Sequence, residues 1–276
     1  MIKKVFVKKV QQSGKEISQK QDVVAIEEPL EINLKSNGGK IFPVSVTMRT
    51  PGNDEELAVG FLHTEAILFS RKNIEQEIPS NLGFNWITIN LSENFDPNIE
   101  KLKRNFYTSS SCGVCGKESI EAIHQTRRIP AEIVDIEVNL ETLFSLPEEL
   151  YKVQKTFQST GGIHAAAFFS TDGKLISYRE DVGRHNALDK LIGAEFLKSS
   201  KEAFFLQENI LLLSGRASFE LLQKAAMAGI QMVCAIGAPS SLAIETAENF
   251  GITLIGFLKN GSFNIYTNAE RVKNLG

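Results

Sequence analysis

The sequence predicts an α/β (α+β) protein, with a smaller β-rich N-terminal region leading into a larger domain of alternating strands and helices. Three observations predict it. The first hundred residues hold short apolar stretches separated by turn residues, the composition of strands. From about residue 110 strand and helix patterns alternate. Runs such as Ile210-Leu211-Leu212-Leu213 are apolar at every position, as strands buried on both faces are. The boundary is drawn between 1–108 and 109–276.

Val5, Phe6, Val7 and Val10 sit among lysines, and Val23 to Ile26 and Leu30 to Leu34 are further short strands. Asn37-Gly38-Gly39-Lys40 makes a turn, and Ile41 to Met48 alternates as the second arm of a hairpin. Thr50-Pro51-Gly52 turns into a helix that Asn53 or Asp54 can cap and that extends to about Phe69. Trp86 to Leu91 is a strand, and the polar stretch from Ser92 to Lys101 a loop. A short helical piece over Leu140 to Ser145 precedes a longer helix from Pro147 to Thr156, with Pro147 at its first position. His164 to Phe169 and Leu175 to Tyr178 form strands around Thr171-Asp172-Gly173. Helices over Asn186 to Leu197, Ser218 to Ala228 and Leu242 to Phe250 alternate with strands at Ile210 to Leu213, Gln231 to Ile236 and Thr253 to Phe257. Phe263 to Tyr266 closes the sheet.

The 276 residues are 42% hydrophobic and 23% charged, values of a soluble globular chain that can bury a core without metals or disulfides. A formal charge of −3 gives no basis for nonspecific binding to nucleic acid or an acidic membrane, so an anionic ligand must meet a local basic pocket. The lysine-rich start from Met1 to Lys9 has no apolar stretch of signal-peptide length, and no run of about 18 apolar residues suits a membrane helix. Three cysteines, an odd number, fit a reducing compartment, and the expectation is a cytoplasmic protein.

Ser109-Ser110-Ser111-Cys112-Gly113-Val114-Cys115-Gly116-Lys117 is the most chemical stretch. Small residues leave little bulk to bury the thiols. If a helix begins at Gly116, its positive end and Lys117 both favour thiolate, the form that attacks a persulfide. A zinc site is disfavoured because no second Cys pair exists and Cys234 lies in the apolar stretch Gln231 to Ala235, as a core residue would. A thioredoxin-like pair lacks the strand expected to lead into it. A zinc nucleotide deaminase needs H-x-E before P-C-x-x-C. Here Ala166 stands two after His164, Ser111 replaces the proline, and His164 follows the cysteines.

Six ordered blocks carry a resemblance that covers nearly the whole chain. They are Arg49 to Phe61, Cys112 to Gly116, Thr160 to Ala166, Arg179 to Lys190, Ser214 to Ser218 and Ala238 to Ala243. In this order they resemble the formate dehydrogenase accessory sulfurtransferase (FdhD/NarQ) family. The resemblance implies a cytidine-deaminase-like C-terminal domain, a homodimer, and a sulfur carrier. Such a carrier takes persulfide sulfur from a cysteine desulfurase and passes it to the bis-guanine-dinucleotide form of the molybdenum cofactor, which serves formate dehydrogenase. It implies Cys112 as the persulfide-forming residue, with Cys115 assisting or resolving. It also places the guanine-nucleotide part of the acceptor, with GDP as its mimic, at Phe257, Leu258, Lys259, Asn260, Gly261 and Ser262. Ser262 stands where the family pattern leads one to expect a basic residue. Two rival functions follow from the same residues: a non-catalytic chaperone for the cofactor, and a dithiol oxidoreductase.

The polar blocks suit an acceptor with two pyrophosphates. Ser214-Gly215-Arg216 lies at a strand–turn–helix junction where amides converge on an anion, with Arg216 adding a bidentate contact or standing solvated. Asp181, His185 and Asp189 are spaced to share a helical face beside Arg184, as a ligand cluster or as a cap plus surface ion pairs. His164 follows Gly161-Gly162, where the backbone can come close to a ligand. Arg49, Asn53 and Glu56 are explained by a turn and a helix start.

Overall fold

The computed structural model describes residues 1–10, 17–75, 85–97, 136–200 and 204–275. Two antiparallel strands, β1 (Ile2–Val10) and β2 (Ile17–Ala25), form a ribbon that pairs with no other strand among the described residues. β3 (Glu28–Lys35), β4 (Ile41–Arg49) and β5 (Trp86–Asn90) form a second sheet in the order β4-β3-β5. The 36–40 turn closes the β3–β4 hairpin with Gly39 at φ +77°. β5 joins β3 in parallel, a pairing that local turn signals do not reveal.

Helix α1 (Asp54–Thr64) stops five residues short of the end expected from the sequence. Ile67 and Leu68 do extend the apolar pattern and are buried. They reach the core through a left-handed turn at Ala66, φ +59°, and the amides of both bond to the Leu62 carbonyl. Asn53 occupies the cap position in a left-handed conformation without a side-chain cap bond, and Asp54 is instead gripped by Arg49. The expected two helical pieces around Pro147 are one helix, α2 (Leu140–Val153). Proline inside a helix costs about 3 kcal/mol, but Leu143, Leu146 and Leu150 are fully buried along one face, and roughly 2 kcal/mol for each offsets it. A short helix α3 (Lys155–Thr160) follows.

The central sheet has six strands in the order β12-β11-β10-β9-β7-β8. They are β7 (His164–Phe169), β8 (Leu175–Asp181), β9 (Ile210–Leu213), β10 (Met232–Ala235), β11 (Thr253–Lys259) and β12 (Ser262–Thr267). β9, β10 and β11 are parallel, and the β7–β8 and β11–β12 hairpins add antiparallel edges. Helices α4 (Arg184–Lys198), α5 (Phe219–Met227) and α6 (Ser241–Asn249) connect or flank these strands. A last small pair, β6 (Val138–Asn139) and β13 (Val272–Lys273), is parallel.

The apolar strands alternate between two cores with the period of two that strands impose. Phe168, Leu211, Leu213, Val233 and Leu254 join α1, α4 and the inner face of the three-stranded sheet. Phe169, Ile210, Leu212, Met232, Cys234 and Ile255 join α2. The first core therefore contains residues from both sides of the 98–135 span. The boundary drawn near residue 108 falls inside that span, outside the described residues.

α1 and α4 cross at two glycines. A Cβ on Gly60 would lie 1.8 Å from the Asp189 carbonyl oxygen, and one on Gly193 equally close to the Glu56 carbonyl oxygen. No side chain fits between these backbones, so the helices meet at the smallest separation the chain allows.

Candidate functional site at the carboxyl edge of the parallel strands

Ligands of open α/β sheets bind beyond the carboxyl ends of the strands, and the predicted binding residues gather there. Past β9 the chain continues through Ser214, whose hydroxyl accepts the Ala165 amide at 2.8 Å. Past β10 it continues through Gly237, whose amide donates to the Gly215 carbonyl at 2.9 Å. The two loops run together further, with Ala217 N to Ala238 O and Ser240 N to Ala217 O. Gly237 is needed for this: a Cβ there would stand 2.9 Å from the backbone of Arg216. The Arg216 side chain is exposed at the tip of the first loop.

Phe257 joins the same edge, its amide donating to the Gly237 carbonyl at 3.1 Å. Its φ of +54° is a left-handed conformation rarely adopted by a bulky residue, and its ring is exposed. Leu258 points the other way, fully buried in the core beneath α2, so only its backbone is offered to a ligand. Lys259, Asn260, Gly261 and Ser262 form the exposed tip of the β11–β12 hairpin, with Lys259 paired to Ser262 and Gly261 at φ +86°.

His164, Arg184 and His185 lie near one another as a basic cluster in which Arg184 carries the fixed charge. His164 opens β7, half-buried, with its ring against Gly215. Burial and then the charges of Arg184 and His185 lower its pKa below the usual histidine value, with Asp181 opposing. Arg184 and His185 begin α4, both partly buried. The Arg184 Nε atom is buried and has no hydrogen-bond partner among the described residues. His185 Nε2 lies 3.2 Å from a Glu220 carboxylate oxygen that also accepts the Ser218 hydroxyl at 3.1 Å. Burial disfavours the ionised Glu220, but the contacts with His185 and Ser218 and the charge of Arg184 bring its pKa below normal.

Asp181, His185 and Asp189 do not share one helical face. Asp181 ends β8, and the helix starts only at Arg184. The three take separate partners: Asp181 pairs with Lys190, His185 with Glu220, and Asp189 with Lys224 and Thr64. Glu220 lies outside the resembling blocks, and although Thr50 and Lys190 fall inside two of them, nothing local in the sequence gives the partners of any of the three. Each is an ordinary residue until tertiary contacts give it a role.

Cys112 and Cys115, and the helix start expected after Gly116, lie outside the described residues. Cys234 is fully buried, and burial alone pushes its thiol pKa far up, leaving it inert. Among the described residues no three His, Cys, Asp or Glu side chains are arranged to hold a metal ion. No helix among them is long and apolar enough to cross a membrane.

The architecture is that of a mixed α/β protein, and it has a solved counterpart. A crystal structure provisionally assigned to a formate dehydrogenase accessory protein from Desulfotalea psychrophila superposes with a TM-score of 0.73, covering 99% of this chain and 98% of that one at 23% identity. That likeness concerns the fold. The FdhD/NarQ family profile matches residues 25–273, so the chain belongs to the FdhD/NarQ family. Among its relatives, "Sulfur carrier protein FdhD" of Mycobacterium tuberculosis is 42% identical over 270 residues, covering 94% of this chain and 95% of the relative. Proteins of the same name from Picrophilus torridus and Sulfolobus acidocaldarius are 45% and 42% identical, covering 91% and 98% of this chain and 92% and 98% of theirs.

Proposed function

We propose that the chain is a cytoplasmic sulfur carrier that accepts persulfide sulfur on Cys112 and delivers it to a guanine-dinucleotide molybdenum cofactor destined for formate dehydrogenase. The observation that carries the reading is the nearly full-length match to proteins named as sulfur carriers, with Cys112-Gly113-Val114-Cys115 inside the matched span. The acceptor, the desulfurase donor, the dehydrogenase served and a homodimeric state come from the family resemblance. The Arg184 guanidinium, with its Nε buried beside the imidazoles of His164 and His185, supports an anionic acceptor.

The chemistry balances within the chain. Cys112 thiolate attacks the outer sulfur of the donor persulfide, the donor S–S bond breaks, and the donor leaves as thiolate. Cys112 then carries the sulfane sulfur. Attack of Cys115 on the Cys112 sulfur releases that sulfur at the oxidation level of sulfide. The two electrons come from the two cysteines, which close to a disulfide. The acceptor is substrate here. Arg184, His185, Arg216 and Lys259 would meet its phosphates, and Phe257 would offer a ring to the guanine.

Mass spectrometry after incubation with a cysteine desulfurase and cysteine tests the step. The expected result is a gain of one sulfur on Cys112, absent from Cys112→Ala, with loss of dehydrogenase maturation. A Cys112→Ala protein that still gains the sulfur and still matures the enzyme would overturn it. Calorimetric titration with GDP tests the binding surface separately, and replacing Arg184 with alanine is expected to weaken binding.

A further inference from the structure

We propose that the buried cluster of Thr50, Asp181 and Lys190 is a positioning device that sets Arg184 and His185 at the mouth of the site. It rests on the anion-binding reading above and adds residues that no ligand touches. All three side chains are sealed from solvent, with 0% exposure for Thr50 and Asp181 and 1% for Lys190. None can be a binding residue.

The contacts converge on the corner that precedes Arg184. One Asp181 oxygen accepts Lys190 Nζ at 2.7 Å and the Thr50 amide at 3.1 Å. The other accepts the Gly183 amide at 2.8 Å and the Asn186 side-chain amide at 3.3 Å. Lys190 Nζ also donates to the Thr50 carbonyl at 2.7 Å, and the Thr50 hydroxyl accepts the Val182 amide at 3.1 Å. Thr50 thus uses its amide, carbonyl and hydroxyl on this one corner. Asn186 adds a donation to the Met48 carbonyl at 2.7 Å and accepts from the Thr47 hydroxyl at 3.1 Å. The backbone of Val182 is therefore held from the β4–α1 segment through Thr50, and that of Gly183 through Asp181.

Stability alone is a poor account of this arrangement. Moving a carboxylate and an ammonium into the interior costs several kcal/mol per ion, and well-packed apolar residues of like volume often serve stability as well or better. What an apolar contact lacks is direction. Five hydrogen bonds to residues 181–183, with a sixth joining Lys190 to Thr50, define the path of that corner, and with it the direction in which α4 presents its first two side chains. The turn at Thr50, which by sequence needs only a turn and a helix start, gains a role that reaches the site.

The test compares the wild type with the Asp181→Asn/Lys190→Met double variant, Thr50→Val and Thr50→Ser. The double variant removes both charges and keeps an acceptor at position 181. GDP affinity is read by calorimetry, stability by urea unfolding, and the site by the imidazole NMR signals of His164 and His185 without ligand. The expectation is a folded double variant whose GDP affinity falls by roughly tenfold, the worth of one charge-assisted hydrogen bond, with both imidazole signals shifted. Thr50→Val moves the same readings in the same direction, and Thr50→Ser restores them. If the double variant does not fold, the two Thr50 variants decide. Unchanged imidazole signals and GDP affinity in folded variants overturn the proposal. A wild type that binds no GDP would overturn the anion-binding reading instead, and the imidazole signals would still judge the positioning role.

Discussion

His63 shows what a single buried residue does to the pH response. It packs between the rings of Phe196 and Phe204, at 5.2 and 5.1 Å, and its Nδ1–H donates to the Leu68 carbonyl at 2.9 Å. Burial lowers its pKa from 6.5 to about 4, opposed by the backbone carbonyls it faces. The unfolded chain binds a proton near pH 6.5 while the folded chain resists it until about pH 4. Stability from this group is therefore present above pH 6.5 and drains as the pH falls towards 4. At pH 5 the loss is about 2 kcal/mol relative to pH 7.5. Urea unfolding at the two pH values should show that difference in the wild type and lose it in His63→Gln. A second residue-scale prediction concerns Cys234. With Cys112 and Cys115 replaced by serine, the native protein should take up no thiol reagent, and the urea-unfolded protein one equivalent. That burial was legible in the sequence, because Cys234 sits in a run of apolar residues. The neutral role of His63 was not, since nothing local distinguishes a histidine that ends up among phenylalanines.

At the scale of elements, the segment from Thr47 to Gly60 is zipped to the segment from Arg179 to Gly193. Thr47 and Met48 meet Asn186, Thr50 meets Asp181 and Lys190, Glu56 meets Arg179 through two contacts, and Gly60 meets Gly193. Gly60→Ala should be severely destabilising, because the added methyl would fall inside the Asp189 carbonyl and neither helix backbone can yield cheaply. The expected loss is about 3 kcal/mol or more, at or beyond the upper end of ordinary overpacking, visible as a lowered urea midpoint. Gly161→Ala is the contrasting case. That position has open space and φ +65°, so only backbone strain of about 1 kcal/mol is at stake. Most helices and strands after residue 136 were readable within a few residues, because periodicity and capping are local. The single helix through Pro147, the early stop of α1 and the parallel entry of β5 were not. Each is decided by burial against distant residues, which overrides the local signal.

On the scale of the whole molecule, the first core draws Leu30, Ile32, Ile87 and Ile89 together with Leu188, Leu211 and Leu254. Trp86, the one tryptophan, lies on β5 in the N-terminal sheet, while most helices lie elsewhere. Its fluorescence and the helical circular dichroism should therefore follow one urea transition with the same midpoint. Two separated midpoints would show that the two halves unfold independently. The candidate binding residues stand out in the sequence as polar blocks, and the fold brings His164, Arg184 and His185 near one another, but the internal supports of their arrangement were not legible. A cluster at a carboxyl edge can be guessed from its charges, whereas a buried lysine paired across 140 positions with a threonine carbonyl leaves no local trace. The β1–β2 ribbon lies almost wholly ahead of residues 25–273, where the family match begins. It exposes Phe6 at 75% and Val10 at 67%, with Lys3, Lys4, Lys8 and Lys9 interspersed along the same strand. Lysine on an open strand edge repels would-be partners of the same kind. Those four charges thus guard solubility: neutralising them is expected to leave the exposed Phe6 and Val10 ready to recruit further copies into aggregates.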